Sequence, residues 1–387
     1  MATGVTKFPL GHGEDAPGDV AENEERIACQ PDFRASGHED SRGITTSQVR
    51  QFTRTYVMAV WTVSTAHCLD YPPVDYMNRN SWPDLPLADW LDTYSTFHRF
   101  AQIVGKTRLS HTPMQNHWWN ATLYLTSRGL GTGVLAEGNR QFEVDFDFIE
   151  HCVAIHVSDG SLKKIPLRAM AVADFYREYI AALHALGIAP RIWPVPMELP
   201  DTLRFDHDAT HSSYDPASAA RCWQALAQVD RVLKIFRGRF VGKSSPSHFW
   251  WGSFDISSTR FSGRLAPLHP GGVPNCPDYV TREAYSHECM SVGWWPGNTG
   301  GVEEPAFYAY AYPEPPGFPR ATADPAEAYY HPGMHEWILP YDAVRTARDP
   351  DSVLLSFCES TYSAAATLGK WDRVSLERTG RSPAQIF

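Results

Sequence analysis

Two short segments limit the fold more than anything else in the chain. QFEVDFDFI at 141–149 and FYAYAY at 307–312 alternate residue by residue between two kinds of side chain. A period of two is the mark of a strand, because successive side chains of an extended chain point to opposite faces. In the first segment the phenylalanines and the valine take one face, and Glu143, Asp145 and Asp147 take the other. Residues 121–127, 141–149 and 152–157, separated by Gly-rich or Asp-Gly turns, are therefore expected to form an antiparallel meander.

Elsewhere the apolar period changes to three and four. Leu87, Trp90, Leu91, Tyr94, Phe97, Phe100, Ala101 and Val104 recur at helical spacing, with Gly105 as the expected stop. A second helix is expected over about 171–186, closed by Gly187. A third should open where Asp215 caps Pro216 and run to about Arg237, and a last one should run from Asp349-Pro350 to Trp371. Residues 188–205 alternate prolines with large apolar residues, which suits an edge strand or an extended connector. Residues 248–257 read as a strand, 281–289 as a helix or turn, 313–335 as mostly loop, and the glycine cluster at 129–133 as a hairpin loop. With no βαβ alternation and no repeat, this order predicts an α+β fold of antiparallel sheet with packed helices. It forms one large domain over 81–375, after a disordered polar leader at 1–50 and an unassigned linker or strand at 51–80.

Charge narrows the partners. The chain of 387 residues carries a net charge of −10, which disfavours nucleic acid and anionic membrane, since both call for a basic face. No apolar run reaches the roughly 18 to 20 residues of a membrane span, and no signal peptide pattern opens the chain, so a cytoplasmic protein is expected. The seven cysteines are scattered and never spaced C-x-x-C, as in buried reduced thiols rather than a disulfide framework or a thiolate zinc site.

The chemistry-bearing pattern is a histidine placed ahead of a tryptophan pair, three times over: His117 before Trp118 and Trp119, His248 before Trp250 and Trp251, His287 before Trp294 and Trp295. Imidazole titrates near neutral pH and ligates metals, and indole supplies a large apolar wall with one polar atom. The pattern points to an aromatic, histidine-lined cavity. In MQNHWWN, Asn116 and Trp119 are suited to hold a polar ligand. In SHFWWGSFDISSTRFSG, a single extended strand would put His248 and Trp250 on one face and Trp251 and Asp255 on the other, unless Gly252 marks a bulge. Asp255 and Arg260 could pair or flank an anionic substrate, since Arg makes the better fork for carboxylate or phosphate. On a helix, Glu283 and His287 would face together with Glu288 one step round, and the Trp294-Trp295 stretch beside a glycine-rich loop could be a lid. The acids and imidazoles at 206–215 favour turns and caps over an ion site.

Nucleotide-cofactor, kinase and serine-elbow signatures are missing from the sequence. The strings QIVGKTRLSHTPMQNHWWN, FEVDFDFIEH, HFWWGSFDISSTRFSGR, EAYSHECMSVGWWPG and EPAFYAYAYPEP, in this order over about residues 81–320, resemble an uncharacterised bacterial family, domain of unknown function 5996. The resemblance implies a shared fold for that span and carries no activity, cofactor or catalytic residue with it.

From the residues, the expectation is a metal-dependent enzyme of oxygenase or hydrolytic type, acting on a small polar or peptide-like substrate. His117, His248 and His287 would hold iron, copper or zinc, with Glu288 or Asp255 as the catalytic carboxylate, ligand or proton acceptor, and Asn116, Trp119, Trp251, Arg260 and Trp295 around the substrate. The alternative is a non-catalytic binding protein with an aromatic cleft.

Overall fold

The computed structural model describes residues 82–297 and 301–379; the expected leader, the 51–80 segment, Cys29 and Cys68 lie outside them. Among the described residues there are seven α-helices and two six-stranded antiparallel sheets, the α+β class that the two periods imply.

The first sheet is the meander. Its strands are β1 (Tyr124–Leu125), β2 (Gly129–Gly131), β3 (Leu135–Glu137), β4 (Arg140–Asp147), β5 (Cys152–Val157) and β6 (Leu162–Pro166). They lie in the order β1-β2-β4-β5-β6, with β3 also paired to β4. The inward face is made by Phe142, Val144 and Phe146 of β4 opposite Val157, Ile155 and Val153 of β5. The glycine cluster expected as a hairpin loop is instead strand β2. A Cβ at Gly129 would stand 1.9 Å from the Phe146 carbonyl oxygen, so here glycine permits close approach of two strands.

Helix α1 (Leu91–His111) does not stop at Gly105. The ring of Trp251 lies flat against that glycine, and a Cβ there would come within 2.2 Å of it. The residue serves packing rather than termination, and the helix carries Lys106 and Arg108 into the interior. Phe97 meets Phe146 and Phe148 edge-on, each at 5.3 Å, while Phe100 stacks on Phe175 of α2 (Val172–Ala185) at 4.0 Å. α2 is followed by Gly187 at φ +70°, as its sequence requires. Residues 188–204 form no regular element and act as a connector. At 206–215, Asp208 accepts from the backbone N–H of Thr210 and His211 and pairs with Arg99 at 3.2 Å, while Asp215 caps α3 (Pro216–Gly238). The cluster is turn and cap.

The second sheet contains β7 (His248–Trp250), β8 (Asp255–Leu265), β9 (His287–Trp295), β10 (Ala306–Tyr312), β11 (Tyr329–His331) and β12 (Glu336–Pro340), in the order β11-β12-β10-β9-β8-β7. Residues 248–257 are a hairpin rather than one strand. The chain reverses over 251–254, with Phe254 at φ +59°, and Trp250 pairs with Asp255. The helix expected at 281–289 is split: α4 (Asp278–Ala284) ends before His287 starts β9. Trp294 and Trp295 close that strand fully buried, so they are core and not a lid. Helices α5 (Tyr341–Arg345), α6 (Pro350–Leu368) and α7 (Arg373–Leu376) follow. α3 and α6 cover one face of this sheet through Phe236 and Tyr362. Leu123 and Phe249 exchange backbone hydrogen bonds of 2.8 and 3.0 Å, joining the edges of the two sheets. Among the described residues no helix is long and apolar enough to cross a membrane, and the five cysteines are buried and unbridged.

Candidate functional site

Register gives the second sheet a polar inner face. Asp255, Ser257, Thr259 and Phe261 of β8 share it with His248 and Trp250 of β7, with Cys289, Ser291 and Trp295 of β9, and with Tyr308 and Tyr310 of β10. Every polar side chain placed there needs a partner, and most find one on the same face. Trp250 Nε1 donates to Ser257 Oγ at 2.9 Å, Thr259 Oγ1 meets Ser291 Oγ at 3.0 Å, and the hydroxyls of Tyr285 and Tyr310 lie 2.9 Å apart. Asp255 accepts from both Ser253 Oγ and the Tyr308 hydroxyl. Burial pushes its carboxyl up to about 6 even against those two donors.

A second carboxylate stands close by. Glu198, in the connector after α2, is buried and holds φ +59°, a conformation that costs a non-glycine residue of order 1 kcal/mol or more. Its Oε1 has no hydrogen-bond partner among the described residues and sits where a Cβ on Gly252 would be, 2.3 Å away. Glycine at 252 makes room for the carboxylate. Burial first, and the Asp255 charge second, push Glu198 up to about 7, while Lys106 acts the other way. Lys106 is itself buried, with its ammonium 5.5 Å from the Trp251 ring centre, and burial pulls it down to about 8.

Helix α1 assembles this cluster. His98, Gln102 and Lys106 are spaced by four and lie along one helix stripe. His98 Nε2 contacts the carbonyls of Trp251 and Gly252 at 3.1 and 2.9 Å, and burial pulls its pKa down to about 3, so the ring is neutral. Gln102 donates to the Met197 carbonyl and accepts from the Met197 N–H, both at 2.8 Å, which fixes the residue before Glu198. The stripe therefore grips both the hairpin turn that precedes Asp255 and the connector that carries Glu198.

The histidines of the Trp-pair pattern lie further along the same face. His117 and Trp118 take φ +58° and +59°. His117 Nδ1 lies 2.9 Å from the Ala284 carbonyl and Nε2 lies 2.6 Å from Lys243 Nζ, so a neutral ring donates at one nitrogen and accepts at the other. Burial chiefly pulls its pKa down to about 4. Trp119 stands between His117, at 5.7 Å, and His248, at 5.5 Å. His248 is buried with neither ring nitrogen hydrogen-bonded among the described residues, and burial pulls it down to about 3. The hole bounded by His117, Trp119, Trp250, Ser257 and Ser291 measures about 20 Å³, room for about one water rather than a substrate.

The expected convergence of three imidazoles is not what the strands produce. His117 and His287 are neighbours with ring centres 5.5 Å apart, yet His248 pairs through Ser257 with Gly293, six residues along β9 from His287. Six strand residues span roughly 20 Å. Among the described residues, the one group of three donors within 4.8 Å of one another is Asp147, Glu150 and Cys152. Its acids are taken up in the β4–β5 turn: Asp147 accepts from the N–H of Ile149 and Glu150 and from Arg128 Nε, and Glu150 pairs with Lys164.

Other expected residues are dispersed. Glu288 lies on the opposite face from His287 and accepts from Ser262 and Arg264 at the surface. Arg260 also lies opposite Asp255, packed on Phe236 and Tyr362 and paired with Glu359 at 3.3 Å. Asn116 is exposed, Trp251 lies under Lys106, and Trp295 packs on Tyr308 at 5.3 Å. Sequence reasoning missed Glu198, Lys106, Tyr308 and Lys243. The signal that was there is the polar i, i+4, i+8 stripe in an otherwise apolar helix.

The model of a family of unknown function, DUF5996, matches residues 82–378. The chain belongs to that family. No curated protein and no solved structure matches the chain. The DUF5996 match begins at Trp82 and covers both sheets, the α1 stripe and all the polar-face residues.

Proposed function

We propose that this DUF5996 domain is an enzyme that moves protons on a small polar substrate, with Glu198 as general acid and Asp255 as general base. The observation that supports it best is the Glu198 carboxylate: buried, in a left-handed backbone, and with Oε1 unpartnered among the described residues. Such an arrangement lowers stability, and strained, desolvated titratable groups gather where chemistry is done. Two carboxylates whose surroundings separate their proton affinities divide the roles. Glu198 at about 7 keeps a proton near neutral pH, and Asp255 at about 6, held by Ser253 and Tyr308, is ionised there. Lys106 supplies a positive charge for an anionic transition state.

The test is to incubate the full chain with a panel of small polar compounds, follow consumption by mass spectrometry, and read carboxyl protonation by infrared difference spectroscopy. Turnover that disappears in Glu198→Gln, together with a carboxyl band titrating near pH 7 that the same variant loses, is the expected result. A Glu198 that stays ionised down to about pH 4, as a plain structural partner of Lys106 would, overturns the reading.

A second reading, a metal-assisted enzyme using iron, copper or zinc, draws on the pairing of His117 with His287. It requires Lys243 to leave His117 Nε2, and elemental analysis of protein purified without chelator decides it.

A further inference from the structure

Arg260, turned away from Asp255, opens onto a different feature. A cleft of about 770 Å³ lies between the end of α3, β8, α6 and the α7 segment, and it is lined by Lys234, Arg239, Arg260, Arg373 and Arg378 against Glu359 and Glu377. It adjoins a second depression of about 480 Å³, which shares Gly238 and Arg378 and adds Arg237 and Lys243. In a chain of net charge −10, five cations lining one cleft are a local reversal of sign.

Part of that charge is structural. Arg260 donates to the Phe236 carbonyl and Arg378 Nε donates to the Gly238 carbonyl at 2.8 Å, satisfying the orphan acceptors at the α3 C-terminus. Arg373 pairs with Glu377 at 2.5 Å, and Lys234 with Asp230 at 2.5 Å. The remainder is not used up in this way. Glu359 is shared by Arg260 at 3.3 Å and Arg239 at 3.6 Å, one carboxylate for two guanidiniums. Arg260 is 1% exposed, and its Nε has no hydrogen-bond partner among the described residues. Its guanidinium centre lies 3.4 Å from the Phe236 ring centre and 4.3 Å from that of Tyr362, and its terminal nitrogens donate to Glu359, so this charge is fixed in position. A guanidinium carries five N–H donors, and Arg239 and Arg378 each engage only part of that set.

We propose that this cleft binds a small multivalent oxyanion, a phosphate ester or a polycarboxylate. Arg260 fixes a positive charge at its base, with its terminal nitrogens held by Glu359 and the Phe236 carbonyl, and Arg239 and Arg378 supply exposed guanidiniums at its rim. Such anions are what guanidinium forks with spare donors match in geometry and charge. The proposal does not rest on the acid–base reading, because the cleft lies on the opposite face of the second sheet.

The experiment is isothermal titration of the full chain with pyrophosphate and, separately, with citrate at low ionic strength, repeated on the Arg239→Ser/Arg378→Ser double variant. Both positions are exposed, and circular dichroism verifies that the variant is folded. Binding of at least one probe in the roughly millimolar range or tighter, weakened about tenfold or more in the double variant, is expected. Preference for pyrophosphate assigns a phosphate ester, and preference for citrate a polycarboxylate. No binding of either probe, or binding equally strong in the double variant, overturns the proposal.

Discussion

The two sheets have the same number of strands and the same antiparallel pairing, but their inner faces differ in kind. The first puts Phe142, Val144, Phe146, Val153 and Ile155 inward against α1. The second puts Asp255, Ser257, Thr259, Ser291, Tyr308 and Tyr310 inward, all buried except the half-buried Thr259. Apolar burial is favourable by itself, whereas each buried polar group requires a partner to avoid a net cost. The first sheet therefore looks like a device for stability. The second retains hydroxyls and carboxylates where aliphatic side chains would pack more favourably, which is how a site differs from a scaffold.

The largest effect that could break this contrast is in the first sheet. Phe146 is fully buried and meets Phe97 edge-on at 5.3 Å. Phe146→Ala should lower unfolding free energy by about 4 kcal/mol, measured in a urea titration. A loss below about 1 kcal/mol would mean that this face is not a packed core.

The next effect has the opposite character. The folded pKa of Glu198 is about 7, above its ordinary 4.5, so the folded state binds this proton more tightly than the unfolded chain does. Its contribution is complete below pH 4.5 and is lost as pH rises through about 7, amounting to about 3 kcal/mol at most. Asp255 adds the same sign between its ordinary 3.8 and about 6. Glu198→Gln should flatten the fall in urea midpoint between pH 4.5 and 8 and be more stable than the parent at pH 8, whereas Phe146→Ala should keep the pH dependence. Equal pH slopes for parent and Glu198→Gln would dissolve the distinction between the sheets.

How much of this was legible depended on whether a residue's role is set locally. Strand β4 and the cap of α3 could be read because alternation in QFEVDFDFI and the Asp215-Pro216 pair act within a few residues. Gly105 misled because its reason, the Trp251 ring, is 146 residues away in sequence. The three histidines were expected to converge on one point, but strand register, which no local pattern gives, put His248 and His287 six strand positions apart. Glu198 was invisible for the same reason. Nothing in PVPMELPD says that a hairpin glycine will be brought beneath its carboxylate.

The smallest predicted effect sharpens the comparison from outside. Lys164 and Glu150 pair at 2.5 Å on the outer side of the first sheet, with side chains 40% and 39% exposed. In that setting the attraction is screened by water, and ordering two flexible side chains offsets much of it. Lys164→Ala should change stability by less than about 1 kcal/mol, and the difference from the parent should shrink further in roughly 1 M salt. Glu150 also belongs to the Asp147, Glu150 and Cys152 group, so the same variant probes whether those acids hold an ion. If the group is only a turn closed by Arg128 and Lys164, added zinc should leave the melting temperature of parent and variant equally unmoved. A zinc-dependent rise that grows once Lys164 is removed would show that the lysine occupies a cation's place, and the first sheet would then carry chemistry of its own.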